Sequence, residues 1–141
     1  MNHVSFTCNG HKNITAKHKT TIEFTSNTSL TIKGDCIIGV NSSLSLKDLP
    51  DEIKKKIQKD TSKITINLEA EGMVDKIQGY GHHNLELSDN EAIIIRKSSF
   101  ICPKTLVIRA DKSACDINRE LVDFLRNPKA KLEISFTVEE Q

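Results

Sequence analysis

The sequence predicts a mainly β protein made of two similar units, with a sandwich-like or barrel-like core and two short amphipathic helices. Two observations predict this fold. Apolar and polar residues alternate along much of the chain, and the same order of elements occurs twice. Alternation with a period of two places one set of side chains on a buried sheet face and the other in water. A chain of 141 residues fits one domain with a shared core.

The alternating segments predict about ten strands, five in each half of the chain. In the first segment Val4, Phe6 and Cys8 share one parity, with polar residues between them. The CIIGV segment at 36–40 is a shorter and more continuously apolar strand. The other predicted strands lie at 14–24, 30–32, 64–70, 74–80, 83–87, 92–96, 105–110 and 131–140.

Two segments have helical periodicity instead. In SLKDLPDEIKKKIQK, apolar residues recur every four positions, Asp48 can cap the helix, and Pro50 falls in the first turn, where proline is tolerated. In SACDINRELVDFLRNP, Ser113 and Asp116 have the spacing of a capping box. Each segment therefore predicts one short amphipathic helix.

The two halves, about 1–72 and 73–141, share one order of elements, which we interpret as an internal duplication within a single domain. Gly-His-x-Asn occurs at 10–13 and again at 81–84, and the helices match at an offset of 68. Between them, CIIGV matches LVIRA at an offset of 70, which aligns Ser43 with Ser113. Each unit has an apolar sheet face that it cannot bury alone. Packing about a pseudo-twofold axis would bury both faces.

Composition narrows the class of protein. The formal net charge of +1 argues against a highly basic nucleic-acid-binding protein, so nucleic acid is not a favoured partner. The start does not resemble a signal peptide, and no apolar run approaches the ~20 residues of a membrane span. The four cysteines form no CxxC pair, which favours reduced thiols. We expect a cytoplasmic protein without membrane contact.

The histidines of the Gly-His-x-Asn motifs are the first candidate site. Under a pseudo-twofold axis His11 and His82 are equivalent and could share a cleft, where imidazoles suit a metal or acid–base chemistry. The alternative is structural. Gly10 and Gly81 would supply a positive-φ or bulged position, and the His and Asn side chains would bond to the backbone there. We favour the structural interpretation, because both units need the bend whether or not a site exists.

A second group surrounds His18, which lies on the apolar parity of its strand and could form a polar constellation with Asp35 and Cys36. It is either a ligand-binding residue or a histidine satisfied within the fold. A third candidate is zinc, because Cys8 and His11 have a chelating Cys-x-x-His spacing. The second unit lacks that cysteine, so we predict no cofactor and keep zinc as the weaker alternative.

The fourth candidate is the set of basic residues in which the two units disagree. Every arginine of the chain lies in the second half. Arginine at strand ends, close to serines, suits a carboxylate or a phosphate. The alternative is local pairing, in which Arg109 and Arg119 bond to Asp111, Asp116 or Glu120. The candidate anion-binding residues are Arg96, Lys97, Arg109 and Lys112.

Several stretches, in order, resemble an archaeal family catalogued as domain of unknown function 371. They are GHKNITAKHKTTIEFT, KGDCIIGV, GYGHHNLEL, IIIRKSSF and TLVIRADKSACDINRELVDFL, and they cover most of the chain. The resemblance implies a mainly β, sandwich-like fold and an archaeal cytoplasmic setting. It implies no activity and assigns no catalytic residue.

Three functions follow from these features. The leading hypothesis is a non-enzymatic protein that binds a small anionic or phosphate-bearing ligand through the second-half arginines and lysines. The first alternative is a hydrolase-like or isomerase-like enzyme that uses His18, His11 or His82 with Asp35. The second alternative is a structural or assembly protein that joins another chain through a strand edge or an apolar face.

Overall fold

The computed structural model describes residues 2–140 and confirms a mainly β, sandwich-like fold. The described residues form eight strands, two α-helices and two single-turn 3₁₀ helices. The strands are β1 (His3–Asn9), β2 (Thr21–Thr25), β3 (Ile37–Gly39), β4 (Lys63–Ala70), β5 (Met73–Tyr80), β6 (Ala92–Arg96), β7 (Thr105–Val107) and β8 (Lys131–Glu139). The helices are α1 (Asp51–Ile57) and α2 (Arg119–Leu125), preceded by 3₁₀ turns at Leu46–Asp48 and Ala114–Asp116.

The strands form two four-stranded sheets. The first has the order β1-β8-β4-β5, and all its neighbours are antiparallel. The second has the order β3-β2-β6-β7, with an antiparallel centre and parallel outer pairs. In the first sheet, strands of the first and second units alternate. In the second sheet, two strands of the first unit lie beside two strands of the second. Each sheet therefore contains two strands from each unit.

Equivalent residues of the two units meet face to face at the centre of each sheet. Glu23 pairs with Ile94 between β2 and β6, at an offset of 71. Asn67 pairs with Ser135 between β4 and β8, at an offset of 68. A pseudo-twofold axis therefore passes through both pairs and crosses the two sheets.

The core lies between the sheets and under both helices. Phe6 of β1 and Phe24 of β2 meet edge to face with ring centroids 5.6 Å apart, so the two sheets are in direct contact. The inward residues of β4 and β8, among them Ile66 and Phe136, are almost fully buried. Each large side chain buried in this way contributes about 1.5–3 kcal/mol. The core therefore forms between two sheets that each contain strands of both units, and not between one sheet of the first unit and one of the second.

The number of strands is eight in the described residues, not the ten that the alternation predicted. The segments 14–20, 30–32 and 83–87 are irregular. In two of them a buried residue, Ala16 or Leu87, adopts a left-handed φ of 49° or 52°, which breaks an extended strand. The two residues are 71 positions apart, so the break belongs to both units.

The match of β3 with β7 also differs from the prediction. Ile37 pairs with Glu23 as Thr105 pairs with Ile94, so the offset is 68 and not 70. Ser45, not Ser43, is therefore equivalent to Ser113, and both precede a 3₁₀ turn. The whole change from 71 to 68 falls between two strands, because residues 26–36 of the first unit correspond to the shorter segment 97–104 of the second.

The helices are shorter than predicted because each segment divides into a 3₁₀ turn and an α-helix. Asp48 does not cap α1; its carboxylate accepts a hydrogen bond from the Ser45 hydroxyl at 2.8 Å within the 3₁₀ turn. The Ser113–Asp116 capping box is confirmed. The side chain of Asn118 caps α2 and accepts from the N–H of Glu120 at 2.9 Å.

Candidate functional site

The Gly-His-x-Asn motif of each unit closes the C-terminal end of the other unit's helix. The N–H of His11 donates to the carbonyl of Leu125 at 2.9 Å, and that of His82 donates to the carbonyl of Ile57 at 3.2 Å. A Cβ on Gly10 would lie 2.2 Å from the Leu125 oxygen. Glycine is required here by close approach of the backbones. The positive φ considered for Gly10 and its counterpart is not found.

The two histidine rings are held in the same way. Nδ1 of His11 accepts from the N–H of Asn13 at 3.0 Å, and Nδ1 of His82 accepts from the N–H of Asn84 at 3.0 Å. The side chain of Asn13 donates to the carbonyl of Leu30 at 2.7 Å. Each histidine is thus fixed at a different helix end, which supports the structural interpretation of the motif.

His18 holds the turn that leads into β2. Its Nδ1 accepts from the N–H groups of Thr20 and Thr21 at 3.3 and 3.1 Å. In the second unit Asp89 stands at the equivalent position, and its carboxylate accepts from the N–H groups two and three residues later at 3.0 and 2.7 Å. Histidine and aspartate therefore serve the same turn in the two units.

The predicted partners of His18 and His11 are placed elsewhere or differently. Asp35 meets His18 through its main-chain carbonyl, which accepts from the His18 N–H at 3.2 Å. Cys8 lies in the core, and burial raises the pKa of its thiol to about 12. In residues 2–140, Cys8 and His11 belong to no group of three converging metal-ligand side chains. All four thiols are free.

Two of the four predicted anion-binding residues carry ion pairs. Lys97 lies 3.0 Å from Asp116, and Lys112 contacts Asp75 at 2.5 Å. The Ser113 N–H, followed by Lys97, lowers the pKa of Asp116 to about 2. These two cations are therefore largely neutralised.

The two arginines of that set are held against aromatic rings. The guanidinium of Arg96 lies 4.8 Å from the ring centroid of Phe100, and its Nε donates to the hydroxyl of Thr105 at 2.9 Å. The guanidinium of Arg109 lies 4.5 Å from the ring centroid of Tyr80. Among the described residues Arg109 forms no ion pair with a carboxylate, and the set of anion-binding residues stays a prediction.

A cluster of unpaired cations lies instead between α2 and the irregular segment before β2. One face of α2 lines a cleft of about 330 Å³ there. Within residues 2–140, no carboxylate forms an ion pair with Lys17, Arg119 or Arg126. We call this the basic cleft; it is lined by Ile14, Thr15, Lys17, Arg119, Val122, Asp123 and Arg126.

Two further features distinguish the basic cleft. Arg119 is fixed by three carbonyl oxygens, those of Ile117, Ala16 and Ala114, at 2.9, 3.0 and 2.7 Å. The hydroxyl of Thr15 is the single buried side-chain polar atom in the described chain that has no hydrogen-bond partner. Buried polar groups are normally satisfied; this hydroxyl is an exception, and protein atoms enclose it so that it is not exposed to the cleft.

One group of side chains has the composition of a metal site. Asp60, His82 and His83 bring one carboxylate oxygen and two ring nitrogens within 4.8 Å of one another. Asp60 Oδ1 lies 2.8 Å from Nδ1 of His83 and 3.9 Å from Nε2 of His82. The hydrogen bond from the His83 ring lowers the pKa of Asp60. We call these three residues the histidine–aspartate cluster.

Neither the basic cleft nor the histidine–aspartate cluster was predicted from the sequence, although both contain residues in which the two units differ. The relevant residues of the basic cleft lie about 100 positions apart, and periodicity carries no information on such contacts. Comparison of the units does carry it. Lys17 and Arg126 correspond to the uncharged residues Ser88 and Gln58, so these two positive charges have no counterpart in the other unit.

Comparisons with known proteins agree with the sequence resemblance. A family model described as a domain of unknown function matches residues 6–139. An uncharacterized protein of the archaeon Methanocaldococcus jannaschii is 48% identical over 120 residues, which span 85% of this chain and 88% of that protein. In the described residues, no helix combines the length and apolar character needed to cross a membrane. The chain therefore belongs to the family described as domain of unknown function 371.

Proposed function

We propose that the protein is a non-enzymatic cytoplasmic binding protein for a small anion, such as a phosphate-bearing molecule, and that it binds this ligand in the basic cleft. The observation that carries the proposal is a set of three cations in one cleft, Lys17, Arg119 and Arg126, that form no ion pair with a carboxylate within residues 2–140. With Asp123 as the one acid in the lining, these side chains have a formal charge of +2, three positive charges against one negative.

Hydrogen bonds to the main chain hold the guanidinium of Arg119 in place without a ligand. A guanidinium has five N–H donors, and carbonyl oxygens take three of them. Two donors remain, on a side chain whose geometry is already set. A ligand that bonds to such a side chain loses less binding energy to ordering it. Carbonyl oxygens also do not neutralise the charge as a carboxylate would.

The dimensions of the basic cleft restrict the ligand. Its volume of about 330 Å³ is at the lower end of the range for small-molecule sites. Lys17 and Arg126 line it together with Arg119, and within the described residues neither forms an ion pair with a carboxylate. Arginine and lysine together match phosphate oxygens, which accept several hydrogen bonds at once.

We favour binding over catalysis because of the histidines. In three histidines, the ring nitrogen Nδ1 accepts a main-chain hydrogen bond that holds a turn: His11, His18 and His82. A general base needs an accessible nitrogen beside a group that it can deprotonate. Retaining a turn explains the placement of all three rings, so the enzyme hypothesis has less support than binding.

The test is calorimetric titration with inorganic phosphate and pyrophosphate. The variant Lys17→Ser/Arg126→Gln carries the residues found at the equivalent positions of the other unit. We expect this variant to bind at least tenfold more weakly, and the wild-type affinity to fall as salt is raised, because exposed charges are screened. Arg109→Asn, which introduces the residue of the other unit at that position, is the matched control and should bind normally.

Two outcomes would contradict the proposal. One is an unchanged affinity of the cleft variant for a probe that binds the wild type. The other is a selective loss in Arg109→Asn, which would place the ligand at the second-half arginines.

A further inference from the structure

The histidine–aspartate cluster has the spacing of a metal site that needs only a small contraction. Ligand atoms around tetrahedral zinc, with bonds of ~2.1 Å, lie about 3.4 Å apart. The distances from Asp60 Oδ1 to the two ring nitrogens, 2.8 Å for His83 and 3.9 Å for His82, lie on either side of that value. A metal ion between the three atoms would therefore require shifts of less than one ångström in these two pairs, and the two ring nitrogens lie within 4.8 Å of each other.

The two rings are already aligned for joint coordination. His82 and His83 are stacked, with centroids 4.3 Å apart and planes inclined by 24°. Both rings direct a nitrogen to the same side, where Asp60 approaches from the turn after α1. Two imidazoles and one carboxylate suit a transition metal ion better than Mg²⁺ or Ca²⁺, which prefer oxygen ligands.

Two existing hydrogen bonds oppose metal binding and have to be replaced. The first joins Nδ1 of His83 to Oδ1 of Asp60 at 2.8 Å, and the proton has to leave Nδ1 before that nitrogen can bind a metal. In the second, Nδ1 of His82 accepts from the N–H of Asn84 at 3.0 Å. If Nε2 binds a metal, Nδ1 carries the proton and can no longer accept. Asn84 is exposed, so its N–H can bond to water once the ring changes tautomer. The exchange costs little beside the gain of a metal–nitrogen bond.

The cluster belongs to one unit alone, although its framework belongs to both. His11 is equivalent to His82 and holds the same main-chain bond. The positions equivalent to His83 and Asp60 carry Lys12 and Pro128. The common histidine therefore serves the fold, whereas the two additional ligand-type residues occur where the units differ.

We propose that Asp60, His82 and His83 form a binding site for a divalent transition metal ion such as Zn²⁺. The ion takes the carboxylate of Asp60 and one ring nitrogen from each histidine. Water fills the remaining coordination positions, since three protein ligands leave a zinc site open.

The experiment titrates chelator-treated full-length protein with Zn²⁺ in competition with a chromophoric chelator, and with Co²⁺ followed by its visible absorption. We expect one site per chain and no competition from Mg²⁺. His83→Lys, which carries the residue of the other unit, and Asp60→Asn should each weaken Zn²⁺ binding at least tenfold. His11→Gln is the matched control and should leave it unchanged.

A graft tests whether the three side chains are sufficient. Lys12→His/Pro128→Asp reproduces the cluster beside His11, and we expect it to raise the stoichiometry from one Zn²⁺ to two. A folded graft that still binds one ion contradicts the proposal. So does Zn²⁺ binding that persists in His83→Lys and Asp60→Asn, or that disappears in His11→Gln. Phosphate titration of the same variants should be unaffected, which separates this site from the basic cleft.

Discussion

The N–H of His11 donates a hydrogen bond to the carbonyl oxygen of Leu125 at 2.9 Å. The bond joins the repeated motif of the first unit to the last residue of α2 in the second. The reciprocal bond joins His82 to Ile57 at the end of α1. Helix ends leave carbonyl groups without partners, and here each unit supplies the partner for the other. We infer that the two units fold as one cooperative structure.

Gly10→Ala should destabilise the protein by about 2–3 kcal/mol, because the added Cβ overlaps the helix end. The nearest main-chain oxygen would be 2.2 Å away. Gly72→Asn is the control, since Gly72 has open space around it and asparagine tolerates its positive φ. That control should change stability by less than about 0.5 kcal/mol. Urea denaturation followed by circular dichroism measures both, and equal effects would show that the contact is not restrictive.

His18→Asp should keep nearly the stability of the wild type, whereas His18→Ala should lose about 1 kcal/mol. Aspartate restores an acceptor for the N–H groups of Thr20 and Thr21, as Asp89 provides in the second unit. Alanine leaves these donors without their partner. Thermal unfolding of the two variants at neutral pH distinguishes them. If both variants lose the same stability, the proposed role of the ring as a turn acceptor is wrong.

Asp75→Asn should lower the free energy of unfolding at pH 7 by about 2 kcal/mol, because hydrogen bonds to a charged group are lost. Asp75 binds Lys112 and accepts from the N–H of Asn118 at 2.7 Å, at the start of α2. Burial by itself would raise the pKa of Asp75, but these bonds outweigh it and lower the pKa.

A lowered carboxyl pKa fixes the direction of the pH dependence. The stabilisation by Asp75 is present above the unfolded value of about 3.9 and is lost as the pH falls through the lower folded value. Urea denaturation of the wild type between pH 7 and 2 should therefore show a loss below about pH 4 that is smaller in Asp75→Asn. Identical pH profiles would contradict this assignment.

Alkylation with iodoacetamide at pH 8 should modify Cys115 and Cys102 before Cys36 and Cys8. Burial raises the pKa of Cys8 to about 12 and that of Cys36 to about 11, so their reactive thiolates are scarce. Burial also acts to raise the pKa of Cys102, but hydrogen bonds from Lys104, Thr105 and Arg96 lower it overall. Cys115 is exposed.

Peptide mass spectrometry at successive times gives the order in which the cysteines are modified. In urea-unfolded protein the four cysteines should react at similar rates. Early modification of Cys8 in the folded protein would contradict its placement in the core.

The sequence was informative where side chains alternate strictly. The inward residues of β4 and β8, such as Ile66 and Ile134, were predicted from parity alone, because a single buried face leaves one acceptable register. CIIGV and LVIRA were misaligned by two residues. A continuously apolar run has no parity to fix its register. The segment 97–104 is shorter than its counterpart 26–36, and the sequence alone did not show where these residues are missing.

The irregular segments could not be predicted from periodicity. Ile14 and Ala16 keep the parity of a strand, yet the left-handed φ of Ala16 turns the chain. That turn places the Ala16 carbonyl on Arg119 and so builds one side of the basic cleft. Contacts of this kind depend on tertiary packing, which overrides local pattern.

The basic cleft is tested most directly by the ¹H–¹⁵N chemical-shift changes of the assigned protein during titration with inorganic phosphate. We expect the largest changes at the main-chain N–H groups of Thr15 and Lys17 and at the side chains of Arg119 and Arg126. Lys17→Ser/Arg126→Gln should abolish these changes. Saturating shifts that instead surround Arg96 and Arg109, and that persist in the cleft variant, would contradict anion binding in the basic cleft.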